Sequence, residues 1–211
     1  MNLLEPVTLR GDIVSLEPLA HGHHDGLVEA ARDGELWNLW YTAVPDPDGM
    51  ALEIDRRLAL KAAGTMLPFA TRRNADGLLL GMTTYMNIDA ALPRVEIGST
   101  WNRASAQGSG SNPDSKLLLL THAFETLGCP AVEFRTHWMN QQSRAAIERL
   151  GAKLDGVLRA HQRTADGSLR DTCVYSITAA EWPQVRSGLR FRLSRHHAAS
   201  EPPGPGHGTR P

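Results

Sequence analysis

The sequence has little of several features that mark common classes of protein. Its two cysteines, Cys129 and Cys173, are isolated and form no C-x-x-C pair, which suits a reducing cytosol. The formal net charge of −1 gives no reason to expect nucleic acid or an anionic membrane as a partner. No stretch approaches the ~20 apolar residues of a membrane span, and no basic segment followed by an apolar run opens the chain. These absences predict a cytoplasmic protein with neither a signal peptide nor a membrane span.

The sequence also gives no support for a metal site. His21, His23 and His24 stand close together, but no second cluster of ligand residues is evident. The segment is typical of the polar start of a short helix, which we place at residues 26–32. We therefore expect no metal.

The most informative stretch is a glycine-rich turn that leads directly into a helix, at residues 107–127. Gly108 and Gly110 lack Cβ atoms, so the backbone can take positive φ there and let a bulky anion approach its N–H groups. Asn112 is a good N-cap, and Pro113 fits the first helical position. Unpaired N–H groups and the helix dipole together form a phosphate site. The alternative is a turn that binds nothing, since glycine-rich loops before helices are common.

Strand patterns lie on both sides of this turn and helix. Residues 94–100 alternate and include β-branched side chains, and a second strand pattern covers residues 131–137. A dinucleotide-binding site has the same order, but it needs G-x-G-x-x-G and an acidic residue at the end of the next strand. A P-loop needs a closing Gly-Lys-Ser/Thr, which Lys116 is not placed to supply. Both nucleotide-binding interpretations fail on spacing.

Two motifs and the opening segment carry a resemblance to a known family. A Q/R-x-x-G-x-G/A pattern between a strand and a helix is matched from Gln107 through Gly110, with Asn112 at the last position. Asn140 is followed three residues later by Ser143, ahead of an E-R-L-G-A segment. These motifs resemble the GNAT superfamily of acetyl-CoA-dependent N-acetyltransferases. With the opening at residues 8–19, they resemble its RimJ/RimL-like branch, which contains the ribosomal-protein alanine acetyltransferases.

The resemblance implies a fold and a domain organisation. The expected fold is α/β, with helices that flank a central mixed, mostly antiparallel twisted sheet of about seven strands. A V-shaped splay is expected between the fourth and fifth strands. We expect a single acetyltransferase domain at residues 1–193, whereas residues 194–211 have the composition of a disordered tail.

The resemblance also implies that acetyl-CoA is the acetyl donor. Its diphosphate would lie on the N–H groups of the loop and helix start, and its pantetheine arm between the Glu96 strand and the strand at 131–137. A backbone N–H near residues 98–100 would face the thioester oxygen. The cofactor-binding residues expected on this basis are Gln107, Gly108, Ser109, Gly110, Ser111, Asn112, Gly98, Ser99, Thr100 and Asn140.

Ser143 is the expected proton donor to the leaving thiolate. Many members of the family place a tyrosine on the helix after the second strand, but the matching position here is Ile147. In the branch that this chain resembles, a serine at the position of Ser143 takes that role. The alternative is that Ser143 only supports the start of its helix.

Glu96 is the candidate general base. It alternates away from Val95 and Ile97, so it points to the face opposite the apolar one. The alternative is a surface carboxylate paired with Arg94 or Arg135.

Aromatic residues are the candidates for the acceptor pocket. Trp37, Trp40 and Tyr41 lie in a segment that borders this pocket in the resembling branch, and we expect one tryptophan to be in the core and the other in the pocket. Tyr85 is a weaker candidate for a substrate contact, with a structural role as the alternative.

Two functional classes remain open at this point. The first, which Glu96, Asn140 and Ser143 favour and which we prefer, is transfer of an acetyl group to a primary amine, of a small molecule or a protein N-terminus, by direct attack in a ternary complex. The second, favoured by Ile147 and Asn112, is a catalytically weak acetyl-CoA-binding module with a sensing or structural role. No acidic cluster accompanies the aromatic segment, which favours a small amine with an apolar or aromatic part over a basic protein. The oligomeric state stays open, a homodimer included.

Overall fold

The computed structural model describes residues 5–200 except Ala43, Ala90 and Ala165, and gives the backbone alone for residues 197–200. The strands are β1 Leu9–Arg10, β2 Val14–Pro18, β3 Met66–Arg73, β4 Leu79–Asp89, β5 Arg94–Asn102, β6 Ala131–His137, β7 Lys153–Arg163 and β8 Leu169–Thr178. The helices are α1 His24–Arg32, α2 Met50–Ala62, α3 Ser111–Thr121, α4 Gln141–Leu150 and α5 Trp182–Ser200.

All eight strands form one sheet in the order β1-β2-β3-β4-β5-β6-β8-β7. Neighbouring strands are antiparallel except β5 and β6, which are parallel. The expected mixed, mostly antiparallel sheet is therefore confirmed. The strand beyond the expected number is β1, which contains only two residues.

The two faces of the sheet carry different layers. On one face, Leu119 and Leu120 of α3 belong to the largest apolar cluster, together with Val95 and Ile97 of β5. Side chains of α4 and α5 join the same cluster. On the other face, α1 and α2 pack against β3 and β4 through a second cluster that includes Met82. Because strand side chains alternate, Glu96 faces away from the α3 layer, as the sequence predicts.

The start of α3 differs from the prediction. The helix begins at Ser111, and its N-cap is Gly110 with a φ of 80°. The prediction that Asn112 is the N-cap is wrong, because Asn112 and Pro113 are already inside the first turn. Glycine alone reaches this left-handed conformation at little cost, so it sets where the helix starts. The helix ends through a π-helical turn at His122–Thr126.

The end of the described chain also differs from the prediction. Helix α5 runs through Ser200, so residues 194–200, expected in a disordered tail, are helical. Leu189 and Leu193 of this helix are buried, which gives it an apolar face to pack on the domain. The remaining residues of the expected tail, 201–211, lie outside the described residues. Within the described part, no helix is long and apolar enough to cross a membrane.

Candidate active site

The central feature of the site is a fork between β5 and β6. The two strands pair only at Arg94↔Ala131, Val95↔Val132 and Glu96↔Glu133, and they diverge beyond that point. The splay expected between the fourth and fifth strands is therefore present between β5 and β6, one strand later because the two-residue β1 precedes them, and Glu96 lies at its apex. Gly98, Ser99 and Thr100 follow on β5, along one wall of the opening.

The wall formed by β5 contains a β-bulge. The register with β4 moves from Thr84↔Gly98 to Met82↔Trp101, and Ser99 takes a φ of 47°. A non-glycine residue in this region costs free energy, and such strain concentrates at functional sites. The bulge turns backbone groups of residues 98–100 out of the regular ladder, where the sequence predicts a contact with the thioester.

Arg57 of α2 holds this bulge in place, and the sequence analysis missed it. Its guanidinium donates to Ser99 O at 3.1 Å, to Thr84 Oγ1 at 2.7 Å and to Glu53 Oε1 at 2.7 Å. The side chain is only 1% exposed. Its spacing from Met50 and Ile54 places it on the buried stripe of the helix, which is the signal that could have identified it.

The predicted anion-binding loop stands at the mouth of the fork. Gly108 has a φ of 78°, and a Cβ added there would meet no atom within 4 Å. Gly110 has a φ of 80°, but a Cβ there would lie 2.8 Å from Ile13 Cδ1. Ser109 and Ser111 direct their hydroxyls to Ala106 O, which fixes the turn.

The loop has the properties that a diphosphate requires. The first N–H groups of α3 have no partner within the helix and carry the positive end of its dipole. The space beside Gly108 is open, so a bulky anion can approach the backbone. The chain's own residues therefore fit a ligand such as CoA.

The start of α4 lies across the opening from this loop. Gln142 Nε2 donates to Gln107 Oε1 at 3.4 Å, which connects the two segments. Asn140 caps α4, because its Oδ1 accepts from the Ser143 N–H at 2.9 Å. The cap uses the backbone of Ser143, and the Ser143 hydroxyl has no hydrogen-bond partner among the described residues. Ile147, at the tyrosine position of the family, is buried in the core.

Glu96 is buried, with 5% of the residue exposed, and is not the surface carboxylate considered as its alternative. Asn87 Nδ2 donates to its Oε2 at 2.6 Å, and Arg135 Nε lies 3.6 Å from the same oxygen. Burial raises the pKa of the Glu96 carboxyl, whereas the Asn87 hydrogen bond and the Arg135 charge oppose that rise. A carboxyl with a raised pKa is a better proton acceptor near neutral pH.

Lys116 is a second buried cation that the sequence analysis did not identify. Its Nζ donates to Thr100 Oγ1 at 3.2 Å, on the wall of the fork, and the residue is 6% exposed. No carboxylate pairs with it among the described residues. Burial lowers the pKa of its amine to about 8. Its spacing of three and four residues from Leu119 and Leu120 was the available signal that it faces inward.

The aromatic residues occupy different environments. Trp37 packs against the apolar cluster beneath α1 and α2, whereas Trp40 is 61% exposed. The Trp40 ring lies edge-on to His137 at 5.4 Å and to Tyr41 at 5.5 Å between ring centroids. One tryptophan thus contacts the core, as expected, and Trp40 is the one that remains a candidate for the acceptor pocket.

The prediction that Tyr85 contacts substrate is wrong. Its side chain is fully buried, and its hydroxyl donates to Leu119 O at 2.5 Å. The ring packs edge-on against Phe69 inside the α3 layer. Tyr85 faces this core because residues of β4 alternate, and Thr84 and Met86 take the other face.

The histidines near the N-terminus do not converge on one point. His21 contacts Asp55 at 2.8 Å, His23 contacts Glu17 at 3.2 Å and His24 contacts Asp25 at 2.8 Å. Within the part of the chain that the structure describes, no three such side chains are grouped to hold a metal.

A splayed sheet with an open glycine loop and a helix start beside the opening fits a ligand such as CoA. The acetyltransferase (GNAT) domain family matches residues 14–153 of this chain. The chain therefore belongs to the GNAT acetyltransferase family.

Individual relatives agree with this assignment. A proposed ribosomal N-acetyltransferase, YdaF from Bacillus subtilis strain 168, is 33% identical over 107 residues. That match spans 51% of this chain and 57% of the relative, a little over half of its length.

Solved structures extend the similarity over most of the chain. A proposed acetyltransferase from T. thermophilus is 31% identical with a TM-score of 0.77, covering 89% of this chain and 97% of that one. A GCN5-related N-acetyltransferase from Brucella melitensis is 27% identical with a TM-score of 0.80, covering 90% and 86%. Mycobacterium smegmatis RimJ in complex with CoA-disulfide, 23% identical with a TM-score of 0.76 over 91% and 97%, shares the fold.

Proposed function

We propose that this protein is an acetyl-CoA-dependent N-acetyltransferase that acetylates a primary amine. The observation that carries the proposal is the position of Glu96 at the apex of the fork, where β5 and β6 cease to pair. Burial raises the pKa of this carboxyl, as is common for acid–base groups at active sites. The membership of the GNAT family supports the same reaction.

The donor would be held by the residues of the loop and fork. The backbone N–H groups of Gly108 and of residues 110–112 would bind the diphosphate, since those of Gln107 and Ser109 already donate to Ala104 O and Ala106 O. Asn140 on the opposite side would contact the pantetheine arm. When bound, acetyl-CoA supplies the activated acetyl thioester. The bulge at Ser99 would direct a backbone N–H of residues 98–100 to the thioester oxygen, where negative charge develops.

Proton transfers would be divided between two side chains. Glu96 would accept the proton of the acceptor amine, directly or through water, as the amine attacks in a ternary complex. The Ser143 hydroxyl, which has no partner among the described residues, would donate a hydrogen bond to the leaving thiolate. A thiolate with a pKa near 8.5 is already a fair leaving group, so the demand on Ser143 is modest.

The acceptor would be a small amine with an apolar or aromatic part. Trp40 offers an exposed aromatic surface beside His137, on the same face of the sheet as Glu96. The B. subtilis relative is named for ribosomal N-acetylation, so a protein N-terminus is the competing acceptor. The opening at residues 8–19 resembles that of the RimJ/RimL-like branch, which also keeps a protein N-terminus in consideration. We expect the protein to act in the cytoplasm.

Acetyl-CoA binding and amine-dependent thiol release test the proposal together. We expect calorimetry to show saturable acetyl-CoA binding, and a panel of amino acids, polyamines, aminoglycosides and N-terminal peptides to include substrates that release thiol. Binding without turnover across the panel would support the alternative, a catalytically weak module that senses acetyl-CoA. Ile147 at the tyrosine position is the feature that favours that alternative.

A further inference from the structure

A strip of polar side chains covers the face of the sheet opposite α3, next to the apex of the fork. It consists of Asn87, Arg94, Glu96, Glu133, Arg135, His137 and Arg170, contributed by β4, β5, β6 and β8. The register explains the shared face, since Glu96 pairs with Glu133, and His137 pairs with Thr172, two residues from Arg170. This polar strip is where an acceptor amine would meet Glu96.

Two of the three arginines in the polar strip are already paired. Glu133 Oε2 accepts from Arg94 Nη2 at 2.9 Å, and Glu133 Oε1 accepts from Arg135 Nε. One carboxylate thus holds two guanidinium groups. Glu96 is left with the Asn87 amide and a longer contact to Arg135.

Arg170 is the exception in the polar strip. Among the described residues its side chain makes neither a hydrogen bond nor an ion pair, and its Nε is buried without a partner. Burial lowers the pKa of Arg170 and the charge of Glu96 opposes this, whereas burial and the charge of Arg170 together lower the pKa of His137. The Nδ1 atom of His137 accepts a hydrogen bond from the Met139 N–H, so the imidazole is uncharged and does not neutralise Arg170.

The charges of the polar strip do not balance. Arg94, Arg135 and Arg170 carry three positive charges, against at most two negative charges on Glu96 and Glu133. The nearest other acid on β8, Asp171, is paired with Arg159 at 2.5 Å. A purely cationic amine would therefore approach a surface with excess positive charge, which is unfavourable. An amine that also carries an anionic group would restore the balance.

We infer that Arg170 is a carboxylate-binding residue of the acceptor site, and that the acceptor is an α-amino acid with an apolar or aromatic side chain. This inference rests on the proposed function. The guanidinium of arginine matches a carboxylate with two parallel hydrogen bonds, and the buried Nε of Arg170 is one such unused donor. In an α-amino acid the amine is one carbon from the carboxylate, so binding at Arg170 would hold the amine on the same face of the sheet as Glu96, whose charge acts on Arg170. The side chain would lie on Trp40.

The first experiment compares three acceptors that differ only next to the amine: L-phenylalanine, L-phenylalaninamide and phenethylamine. Thiol release at fixed acetyl-CoA should give a kcat/KM for the amino acid roughly 10- to 100-fold above both analogues, the range of a lost hydrogen bond to a charged group. The amide lowers the pKa of the adjacent amine, so a larger fraction of phenylalaninamide has a neutral amine. A lower kcat/KM for phenylalaninamide would therefore not result from protonation of its amine. Leucine and its amide repeat the comparison for an apolar side chain.

The second experiment changes the arginine. Arg170→Gln should raise the KM for L-phenylalanine by roughly 10- to 100-fold and leave the KM for phenylalaninamide unchanged, and Arg170→Lys should restore part of the loss. The matched control is Arg159→Gln, an exposed arginine on the neighbouring strand, which should leave both KM values unchanged. Because Arg170 has no described partner to lose, its variants should keep the wild-type Tm.

The outcomes separate this inference from the proposed function. Equal use of the amino acid, amide and amine, with Arg170→Gln unaffected, would overturn the inference while acetyl transfer stands. Turnover of N-terminal peptides alone would overturn it as well. If no amine releases thiol, the proposed function fails, and calorimetric titration of L-phenylalanine into the CoA-loaded protein decides the subsite. Binding that Arg170→Gln abolishes would support it, and absence of binding would overturn it.

Discussion

Glu96 and Glu133 are register partners on the parallel strands β5 and β6, at the last position before the strands separate. Two carboxylates side by side repel each other unless one is neutralised. Glu133 is neutralised by Arg94 and Arg135, whereas Glu96 keeps a raised pKa in a more buried position. The pair therefore divides into a structural anion and a carboxyl that can exchange a proton.

Replacing Glu96 by glutamine should separate activity from stability. Glu96→Gln keeps an oxygen that can accept from Asn87 but removes the proton acceptor, so kcat should fall by roughly 10²- to 10⁴-fold. Since burial raises the pKa of Glu96, its charge is a cost at neutral pH, and the variant should keep or exceed the wild-type Tm. Steady-state kinetics and calorimetric melting measure the two effects.

The pH dependence adds a further check on Glu96. For the wild type, kcat/KM should rise as the pH increases through the raised pKa of this carboxyl, because only the ionised form accepts a proton. Glu96→Gln should lose that rise. Asp55→Asn, which changes an exposed carboxylate next to His21, serves as the control and should retain it. A wild-type kcat in Glu96→Gln would remove the base from this position.

The loop glycines should respond differently to added side chains. Gly108→Ala places a methyl in the open space beside the loop and strains a φ of 78°, so acetyl-CoA affinity should fall about 10-fold or more with a small loss of Tm. Gly110→Val should also weaken binding, but its Cβ meets Ile13, so stability should fall as well. Gly77→Ala has the same kind of strain in a remote turn and open surroundings. Calorimetry should show unchanged acetyl-CoA affinity for Gly77→Ala, and an unchanged affinity for Gly108→Ala would argue against a diphosphate at this loop.

Ser143 and Asn140 should have separable effects. The helix cap consists of Asn140 Oδ1 and the Ser143 N–H, so Ser143→Ala leaves it intact. We expect Ser143→Ala to lower kcat by about 10²-fold at most, with acetyl-CoA affinity and Tm unchanged. Asn140→Ala should instead cost about 1 kcal/mol of unfolding free energy through loss of the cap. Kinetics and urea unfolding of both variants measure this, and a wild-type kcat for Ser143→Ala with chemistry rate-limiting would reduce Ser143 to part of the helix start.

Local signals in the sequence were sufficient for much of the fold. Asn140 before α4 and Gly151 after it are a cap and a left-handed C-terminus, both set by residues next to the helix. The strand carrying Glu96 was predicted from the alternation of residues 94–100, which is also a local signal. The GNAT-like order of these elements then predicted the sheet and its splay.

Features that depend on distant contacts were not predictable from such signals. Asp114 looks like an ordinary first-turn acid of α3, yet its Oδ2 accepts from the N–H groups of Ile13 and Val14 at 2.8 and 2.9 Å, about a hundred residues away. Arg57 and Lys116 are charged residues that polarity would place at the surface, but both are buried beside the fork. Sequence periodicity suggests an inward position for these cations without naming their partners.

The last prediction concerns Lys116, whose buried amine donates to Thr100 and has no carboxylate partner among the described residues. Burial lowers its pKa to about 8, whereas a lysine in the unfolded chain titrates near 10.4. The folded state therefore binds this proton less readily than the unfolded state. The buried charge lowers the free energy of unfolding by its full amount below about pH 8, and this loss disappears as the pH rises towards 10.4. Lys116→Met, which keeps the length of the side chain, should raise the unfolding free energy at pH 7 by up to about 3 kcal/mol, and the gain should shrink steadily from pH 8 to 10. Lys153→Met, at an exposed lysine paired with Glu181, should show no such gain at any pH. Urea unfolding of the three proteins at pH 7, 8, 9 and 10 measures the difference, and a gain for Lys116→Met that is independent of pH would mean that folding leaves the pKa of this amine unchanged.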